Sequence, residues 1–545
     1  MGSNLLDTEP ALIAAALALI GPDAALSPLE RALAAGIAPA PQDASHSALR
    51  SEIEQGADPL GEAFGRIRAA KQRRALGATY TPREIVESML AWSARAAGAA
   101  PSRIVDPGAG SGRFLLAAAA RFPAAKLVGI EIDPLAALLL RANLSVRGLL
   151  QRTSILVGDY RAIDLPSEAG RSLFIGNPPY LRHHGIAPEW KNWYAATARR
   201  FGVSATRLAG LHLHFFLRTL EVAKPGDLGC FVTAAEWLDV NYGAPLRQLL
   251  ATALGVTALH QIDPKALPFA DAITTGVITG FEIGARQESV RVDRVSSVAG
   301  LADLSSGEDV SRNMLAAMPR WSLISRPAKS IPPGWVELGE FCRVHRGQVT
   351  GGNAVWIAGP HSADLPPQFL FPAVTKAHEL RVDDVLRDPA RLRRVIDLPR
   401  DLDAVQNDAI AGFLSWARTQ GVDRSYIAQH RKSWWSVELK PPAPILCTYM
   451  ARRPPAFVRN LCGARHINIA HGLYPREALD DATLDALAAF LRENVAPAAG
   501  RTYAGGLTKF EPKEMERIAV PRLEELANYF GESRRIASSP LSVEM

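Results

Sequence analysis

Residues 172–180 read Ser172-Leu173-Phe174-Ile175-Gly176-Asn177-Pro178-Pro179-Tyr180, and the change of character inside this run decides the fold. The apolar segment Ser172 to Ile175 has the composition of a strand buried on both faces, as in a parallel sheet. Two consecutive prolines cannot extend such a strand, because neither has an N–H to give the ladder and both have φ locked. The chain therefore leaves the sheet at the carboxyl end of a strand, in a stiff turn, on the edge where open α/β sheets bind ligands. That turn presents the Asn177 side-chain oxygen and the Pro178 carbonyl as two acceptors, with the Tyr180 ring close by. Two acceptors and a flat ring suit a planar exocyclic amine such as N6 of adenine. Taken alone, the run reads equally well as a Pro-rich loop after a strand.

Upstream, Arg103-Ile104-Val105 leads into Asp106-Pro107-Gly108-Ala109-Gly110-Ser111-Gly112 and then the helical run Arg113 to Ala120. Strand, glycine loop and helix in that order form the first unit of a nucleotide-type site, where glycines let the backbone turn tightly and approach a ligand. The next strand, Lys126 to Ile130, ends in Glu131-Ile132-Asp133, roughly twenty residues past the loop, where a carboxylate accepts from both ribose hydroxyls of a nucleoside. A third, Ser154 to Val157, ends in Gly158-Asp159-Tyr160. Successive strands ending in polar clusters on one edge describe a nucleoside-binding crevice. The glycine loop by itself fits NAD as well as S-adenosylmethionine. The order glycine loop, Glu131, Asp159, Asn-Pro-Pro-Tyr on strands one to four selects the second.

In these four elements the chain resembles the S-adenosylmethionine-dependent adenine-N6 DNA methyltransferases of the gamma class, the TaqI type. The resemblance implies a doubly wound, Rossmann-like α/β methyltransferase sheet with an N-terminal helical extension and a C-terminal target-recognition domain. It implies that the methyl donor lies across the glycine loop, held by Thr81, Asp106, Pro107, Gly108, Ala109, Gly110, Gly112, Glu131, Asp159 and Tyr160. The flipped-out adenine would be held by Asn177, Pro178, Pro179 and Tyr180, with Phe269 as a second ring. Gly77 to Val86 looks like the segment that closes over the methionine end of the donor. There Thr81, before Pro82 and three residues ahead of Glu84, also reads as the N-cap of a capping box. Leu211 to Leu220 and the strand Gly229 to Val232 match a later helix and strand of the fold. His212 and His214, alternating in that apolar helix, read as structural or DNA-facing residues, with no third ligand for a metal.

Composition restrains this picture. The chain has 545 residues, 48% hydrophobic and 21% charged, and 61 Lys+Arg against 55 Asp+Glu leave a net charge of only +6. Such a chain is an ordinary globular protein of two or three domains, not a polycation. Its basic residues are grouped instead. The first group is Arg66, Arg68, Lys71, Arg73 and Arg74. A second follows the catalytic turn, with Arg182, His183, His184, Lys191, Arg199, Arg200 and Arg207 among Trp190, Trp193 and Tyr194. The third runs through Arg424, Arg431, Lys432, Lys440, Arg452, Arg453, Arg459 and Arg465, with Trp434, Trp435 and Tyr449 between them. Basic residues interleaved with aromatics suit a phosphate backbone and exposed bases, so double-stranded DNA is the expected partner. The four cysteines include no C-x-x-C pair, which argues against zinc and for a reducing compartment, the cytoplasm. Ala11 to Ile20 is too short to span a bilayer and reads as the face of an N-terminal helix.

The expected organisation is a helical extension over residues 1–65, the catalytic sheet over 66–285, a connection over 286–334 and a target-recognition domain over 335–545. Leu338 to Asn353 resembles the opening of that domain, with a Gly-x-x-Thr-Gly-x-Asn turn at Gly347 to Asn353. Tyr503 to Pro512 and Ile518 to Pro521 resemble its close. Sixty-five N-terminal residues are too few for a nuclease. The reading is a monomeric modification enzyme, either the partner of a separate restriction endonuclease or an orphan. Asn-Pro-Pro-Tyr after such a sheet also occurs in enzymes that methylate a glutamine amide of a protein or an amine of RNA, which is the alternative.

Overall fold

The computed structural model describes residues 6–526 apart from 23–24, 69–80, 264–275, 298, 302–303, 319, 323, 325–330, 402–406, 452, 497–499 and 504–506. Phe269 lies outside the described residues, as do Lys71, Arg73, Arg74 and Arg452. The chain divides into two compact units, Met1–Ala328 with Ala504–Gly506, and Lys329–Tyr503 with Leu507–Met545.

The first unit opens with helices α1 (Glu9–Ile20), α2 (Pro28–Ala34), α3 (Ala44–Glu54) and α4 (Pro59–Ile67). Thr8, Ser27, Asp43 and Asp58 start them, each accepting a backbone N–H of the first turn with its side chain. Helix α5 (Arg83–Ala97) follows. The expected capping box at Thr81 does not form, since Pro82 holds the N-cap position without a side-chain hydrogen bond. The Thr81 hydroxyl is engaged elsewhere.

The central sheet then begins: β1 (Arg103–Asp106), α6 (Arg113–Arg121), β2 (Lys126–Glu131), α7 (Pro134–Val146), β3 (Thr153–Val157), β4 (Ser172–Gly176), α8 (Pro188–Arg200), α9 (Leu211–Val222), β5 (Leu228–Ala234), α10 (Ala244–Ala251), β6 (Val256–Ile262) and β7 (Gly276–Glu282). Two more strands, β8 (Ser289–Val295) and β9 (Glu308–Ser311), extend the same sheet, whose order is β3-β2-β1-β4-β5-β7-β6-β8-β9. Residues 286–334 are thus not merely a connection. The alternating burial of Ser289–Val295 is the signature of a strand covered on one face, which the Ser- and Asp-rich surroundings obscure. β1 to β5 pair in parallel, while β7 runs antiparallel between β5 and β6. The strand order reverses between β1 and β4, which opens a crevice at their carboxyl ends. β1 and β4 are buried at every residue, with apolar centres (Ile104-Val105 and Leu173 to Ile175) and buried polar residues at their ends (Arg103, Asp106 and Ser172).

α1 to α4 pack through Leu12, Leu19, Leu49, Ile53, Leu60 and Phe64 onto Leu135, Leu138, Leu139 and Val146 of α7, in one apolar cluster. Across that contact Arg141 grips the fully buried Glu30 with two hydrogen bonds of 2.9 and 2.8 Å. The N-terminal extension is therefore built into the first unit through the helix that follows β2.

The second unit contains a sheet ordered Cys342–Arg346, Ala470–Pro475, Ile445–Thr448, Phe457–Asn460, Val385–Leu386. The helix Asp481–Asn494 covers it with Leu487, Phe490 and Leu491. Trp335–Glu337 pairs antiparallel with Ala519–Pro521, so the beginning and end of this unit lie side by side. In the turn after the first strand Gly351 has φ +82° and the Thr350 hydroxyl donates to Asn353 Oδ1 at 2.5 Å. Among the described residues no helix is long and apolar enough to cross a membrane.

Candidate active site

A cavity of about 260 Å³ opens at the carboxyl ends of β1 to β4. It is lined by the glycine loop from Pro107 to Ser111, by Glu131, Ile132 and Asp133, by Gly158 to Arg161, and by Thr81, Asn177 and Pro179. The strand ends singled out in the sequence therefore meet. The loop holds its shape at two glycines with φ of +53° at Gly110 and +100° at Gly112, a region closed to most side chains. At Gly112 a Cβ would also stand 2.4 Å from Leu140 Cδ1, so the glycine lets α6 start against α7.

Glu131 carries the loop. Its Oε2 accepts from Gly110 N at 2.8 Å and its Oε1 from Asp133 N at 2.9 Å. Burial holds the Glu131 carboxyl above its ordinary range, and those two backbone N–H groups offset the rise in part. Asp106, fully buried at the end of β1, is raised to about 8 by burial, against one N–H from Gly108. Its Oδ2 has no hydrogen-bond partner among the described residues. A buried carboxylate oxygen in that state is a place for a cationic donor.

Asp159 is held differently. Its two oxygens take the Arg161 guanidinium in a fork, Nε to Oδ1 at 2.9 Å and Nη2 to Oδ2 at 2.6 Å. The guanidinium carbon in turn sits 4.1 Å above the Trp190 ring of α8. Tyr160 contributes only an edge to the cavity. Its hydroxyl pairs with Thr219 Oγ1 at 3.0 Å and its ring packs on Phe215 in the core.

At the end of β4 the Asn177 amide Nδ2 donates to Thr81 Oγ1 at 2.9 Å, and Pro178 is buried. Tyr180 stands beside the cavity and not among its lining residues, its ring edge-on to His212 at 6.2 Å and its hydroxyl 3.5 Å from the Val232 carbonyl. His212 and His214 are both buried, and burial pushes them down to about 4 and about 3, so both rings stay neutral. His214 stacks on Tyr194 at 4.5 Å. The structural reading of the pair is the one the fold supports.

The second basic group stays largely at the surface. Arg182, His184, Arg199, Arg200 and Arg207 are exposed around α8, while Trp190, Trp193 and Tyr194 pack inward. The third group is divided between the fold and the surface. Arg459 is 3% exposed and grips Asp481 and Asp485 at 2.7 and 2.6 Å. Arg465 caps the carbonyls of Leu439 and Lys440, Arg431 that of Val349, and Tyr449 stacks on His471. Trp434 and Trp435 pack against an apolar cluster. Arg424, Lys432 and Arg453 remain exposed.

Sequence reading missed Phe64, Arg113 and Arg161, which also line the cavity. Arg161 was findable, lying in the same turn as Asp159. Phe64 was not, since nothing local ties a helix of the extension to a loop some fifty residues away.

Two known families match parts of the chain: Eco57I restriction-modification methylase over residues 158–265, and the C-terminal domain of Type II methyltransferase M.Eco57I over residues 379–538. Type II methyltransferase M.XamI of Xanthomonas campestris pv. amaranthicola is 51% identical over 530 residues, covering 96% of this chain and 99% of that protein. A tRNA1(Val) (adenine(37)-N6)-methyltransferase of Porphyromonas gingivalis is 39% identical over 211 residues, 35% of this chain and 79% of its own length. The solved structure of the type IIG restriction endonuclease BpuSI shares the fold with a TM-score of 0.50 at 16% identity, over 97% of this chain and 72% of that one.

Proposed function

Since the chain belongs to the Type II methyltransferases of restriction–modification systems, we propose that it methylates N6 of a flipped-out adenine at a specific site in double-stranded DNA. The observation that carries the choice of atom is the Asn177–Thr81 hydrogen bond. With Nδ2 committed to Thr81 Oγ1, the amide presents its carbonyl oxygen as the acceptor end, and the Pro178 carbonyl supplies a second acceptor on the same turn. Two acceptors select an NH2 group over a ring carbon. The tRNA methyltransferase that resembles the catalytic half is named for the same atom, which supports adenine.

The residues of the cavity fit S-adenosylmethionine. Asp106 Oδ2 would take the ammonium of the methionine part, Glu131 the ribose hydroxyls, and Asp159 the edge of the purine, with the glycine loop passing under the chain between them. When bound, this donor supplies a methyl group on a sulfonium, ready for attack by a weak nucleophile. The chain's task is to improve that nucleophile. The N6 lone pair of adenine is delocalised into the ring. Hydrogen bonds to Asn177 Oδ1 and the Pro178 carbonyl favour a pyramidal nitrogen and strengthen as positive charge develops there. Tyr180 holds the extruded base by its face, a contact worth roughly 1–3 kcal/mol per base. Placing amine and methyl in line provides much of the remaining acceleration. No side-chain base is required, because the proton can leave after transfer, and His212, pushed down to about 4 by burial, is too weak a base for that role. The exposed basic residues around α8 would clamp phosphates near the flipped base, and the second unit would read the site. We further propose that the enzyme acts as a monomer in the cytoplasm, beside a separate endonuclease or as an orphan.

Digestion of methylated DNA to nucleosides and mass spectrometry tests the reading. N6-methyladenine is expected, and N4-methylcytosine in its place would reject adenine as the target. Methyl transfer to tRNA or protein with none to DNA would favour the alternative substrates of this fold.

A further inference from the structure

Residues 9–67 lie outside the catalytic motifs, yet their last helix reaches the donor cavity. Asp58 caps α4, its Oδ1 accepting from Gly61 N at 2.9 Å. The same carboxylate, 8% exposed, accepts from three more groups of the catalytic sheet. Ser111 Oγ lies 2.6 Å and Arg113 Nε 2.8 Å from Oδ2, and Asn143 Nδ2 lies 3.2 Å from Oδ1. Ser111 belongs to the glycine loop and Arg113 opens α6. Arg113 Nη1 continues to the Thr81 carbonyl at 3.2 Å, and Thr81 Oγ1 takes the Asn177 amide at 2.9 Å. An unbroken series of hydrogen bonds therefore runs from the N-terminal extension, past the donor loop, to the turn after β4.

The contact is tight by construction, since a Cβ on Gly61 would stand 2.2 Å from Asp58 Oδ2 and 2.5 Å from Ser111 Oγ. Farther along α4, Phe64 forms part of the cavity wall, and Arg68 binds Asp133 Oδ2 at 2.9 Å while Asp133 caps α7. A glycine loop has few side chains with which to hold itself in place. Besides Glu131 at Gly110, the buried Asp58 carboxylate holds this loop at its flank through Ser111. The four donors also satisfy a charge that would otherwise be expensive to bury.

We propose that Asp58 is the positioning residue of the donor site, and that the N-terminal extension works as a clamp on the glycine loop. The inference rests on the reading of the cavity as the donor site. Asp58→Asn is the direct test on the full chain. Asn caps a helix as well as Asp does, so α4 is kept. The amide, however, turns an N–H toward Arg113 or Ser111 and loses the charge. S-adenosylmethionine affinity measured by calorimetry is expected to fall about tenfold, the loss of a charge-assisted pair, with affinity for duplex DNA unchanged. Arg113→Lys keeps the charge but cannot reach Asp58 and Thr81 together, and should lose a similar factor. The double variant should lose no more than the worse single one, because both act through one network. Folded Asp58→Asn with donor affinity within about twofold of the native protein overturns the clamp. If that variant does not fold, Ser111→Ala deletes a single hydrogen bond to the carboxylate, and unchanged donor affinity there overturns it equally. Glu131→Ala, measured in parallel, separates the two readings. A loss there with none in Asp58→Asn rejects the clamp alone, whereas no loss in Glu131→Ala rejects the cavity as the donor site.

Discussion

The Asn177 amide and the Thr81 hydroxyl are 2.9 Å apart although 96 residues separate them in the chain. In the proposed function this bond decides which end of a symmetric-looking amide faces the substrate. Thr81→Val keeps the branched shape and removes the acceptor, so the amide can rotate. It should lower the rate of methyl transfer at saturating donor by about tenfold, while Thr81→Ser restores most of it. Asn177→Ala should nearly abolish transfer and leave binding of donor and duplex largely intact, because its hydrogen bond is made best in the transition state. Single-turnover kinetics with tritiated donor would measure both. Activity within about threefold of the native enzyme in Asn177→Ala would remove the residue from the chemistry.

Glu131 holds Gly110 and Asp133 by their N–H groups, and in the proposed function it also offers acceptors to the ribose. Glu131→Ala should weaken donor binding by about tenfold or more, through loss of a charge-assisted acceptor and of the loop's support. Glu131→Gln keeps the acceptor for one N–H and should lose less. Calorimetric titration with S-adenosylmethionine gives both values.

If Asp106 takes the ammonium of the donor as proposed, donor binding and pH become interdependent. Its carboxyl is raised from 3.8 to about 8 in the folded chain, so the folded state binds the proton more tightly than the unfolded one. The stability this group contributes is complete below about pH 4 and is lost as pH rises toward 8. The donor-free protein should therefore lose melting temperature across that window more steeply than Asp106→Asn. An ammonium beside the carboxylate favours the ionised form, so saturating donor should flatten the native curve. Scanning calorimetry with and without donor measures this, and parallel curves for the native and Asn proteins would remove Asp106 from the linkage.

In the proposed function Tyr180 offers a face, and among the described residues its hydroxyl makes a long contact with the Val232 carbonyl, 3.5 Å. Tyr180→Phe should keep most activity, and Tyr180→Ala should slow transfer. With 2-aminopurine as the target base, binding should raise fluorescence as the probe leaves the stack, and Tyr180→Ala should brighten it further by removing a quenching ring. A lower melting temperature with unchanged probe fluorescence would mean that Tyr180 only packs the turn.

The local chemistry of the catalytic half was readable residue by residue. Glycines at positive φ, a carboxylate closing each strand and two prolines ending β4 act within a few positions of the backbone they shape, so their order along the chain carries the order of the crevice. The same locality explains what was misread. Thr81 has the spacing of a capping residue, but tertiary packing brings Asn177 to its hydroxyl and the cap is left to Pro82. Arg459 and Arg465 read as cations for DNA, yet folding places them on Asp481 and Asp485 and on the carbonyls of Leu439 and Lys440. Strands β8 and β9 were hidden because polar surroundings obscure the alternation of β8, and β9 is a short, largely exposed edge strand of mostly polar residues. What the sequence alone determined is the nucleoside crevice and the turn that ends it, since both are set by short-range backbone constraints. Only the tertiary structure decided which charged groups are spent on the fold and which face the site. Asp58 shows why: a carboxylate's partners are chosen by packing, and Ser111 and Arg113 reach it only after α4 has docked on α7.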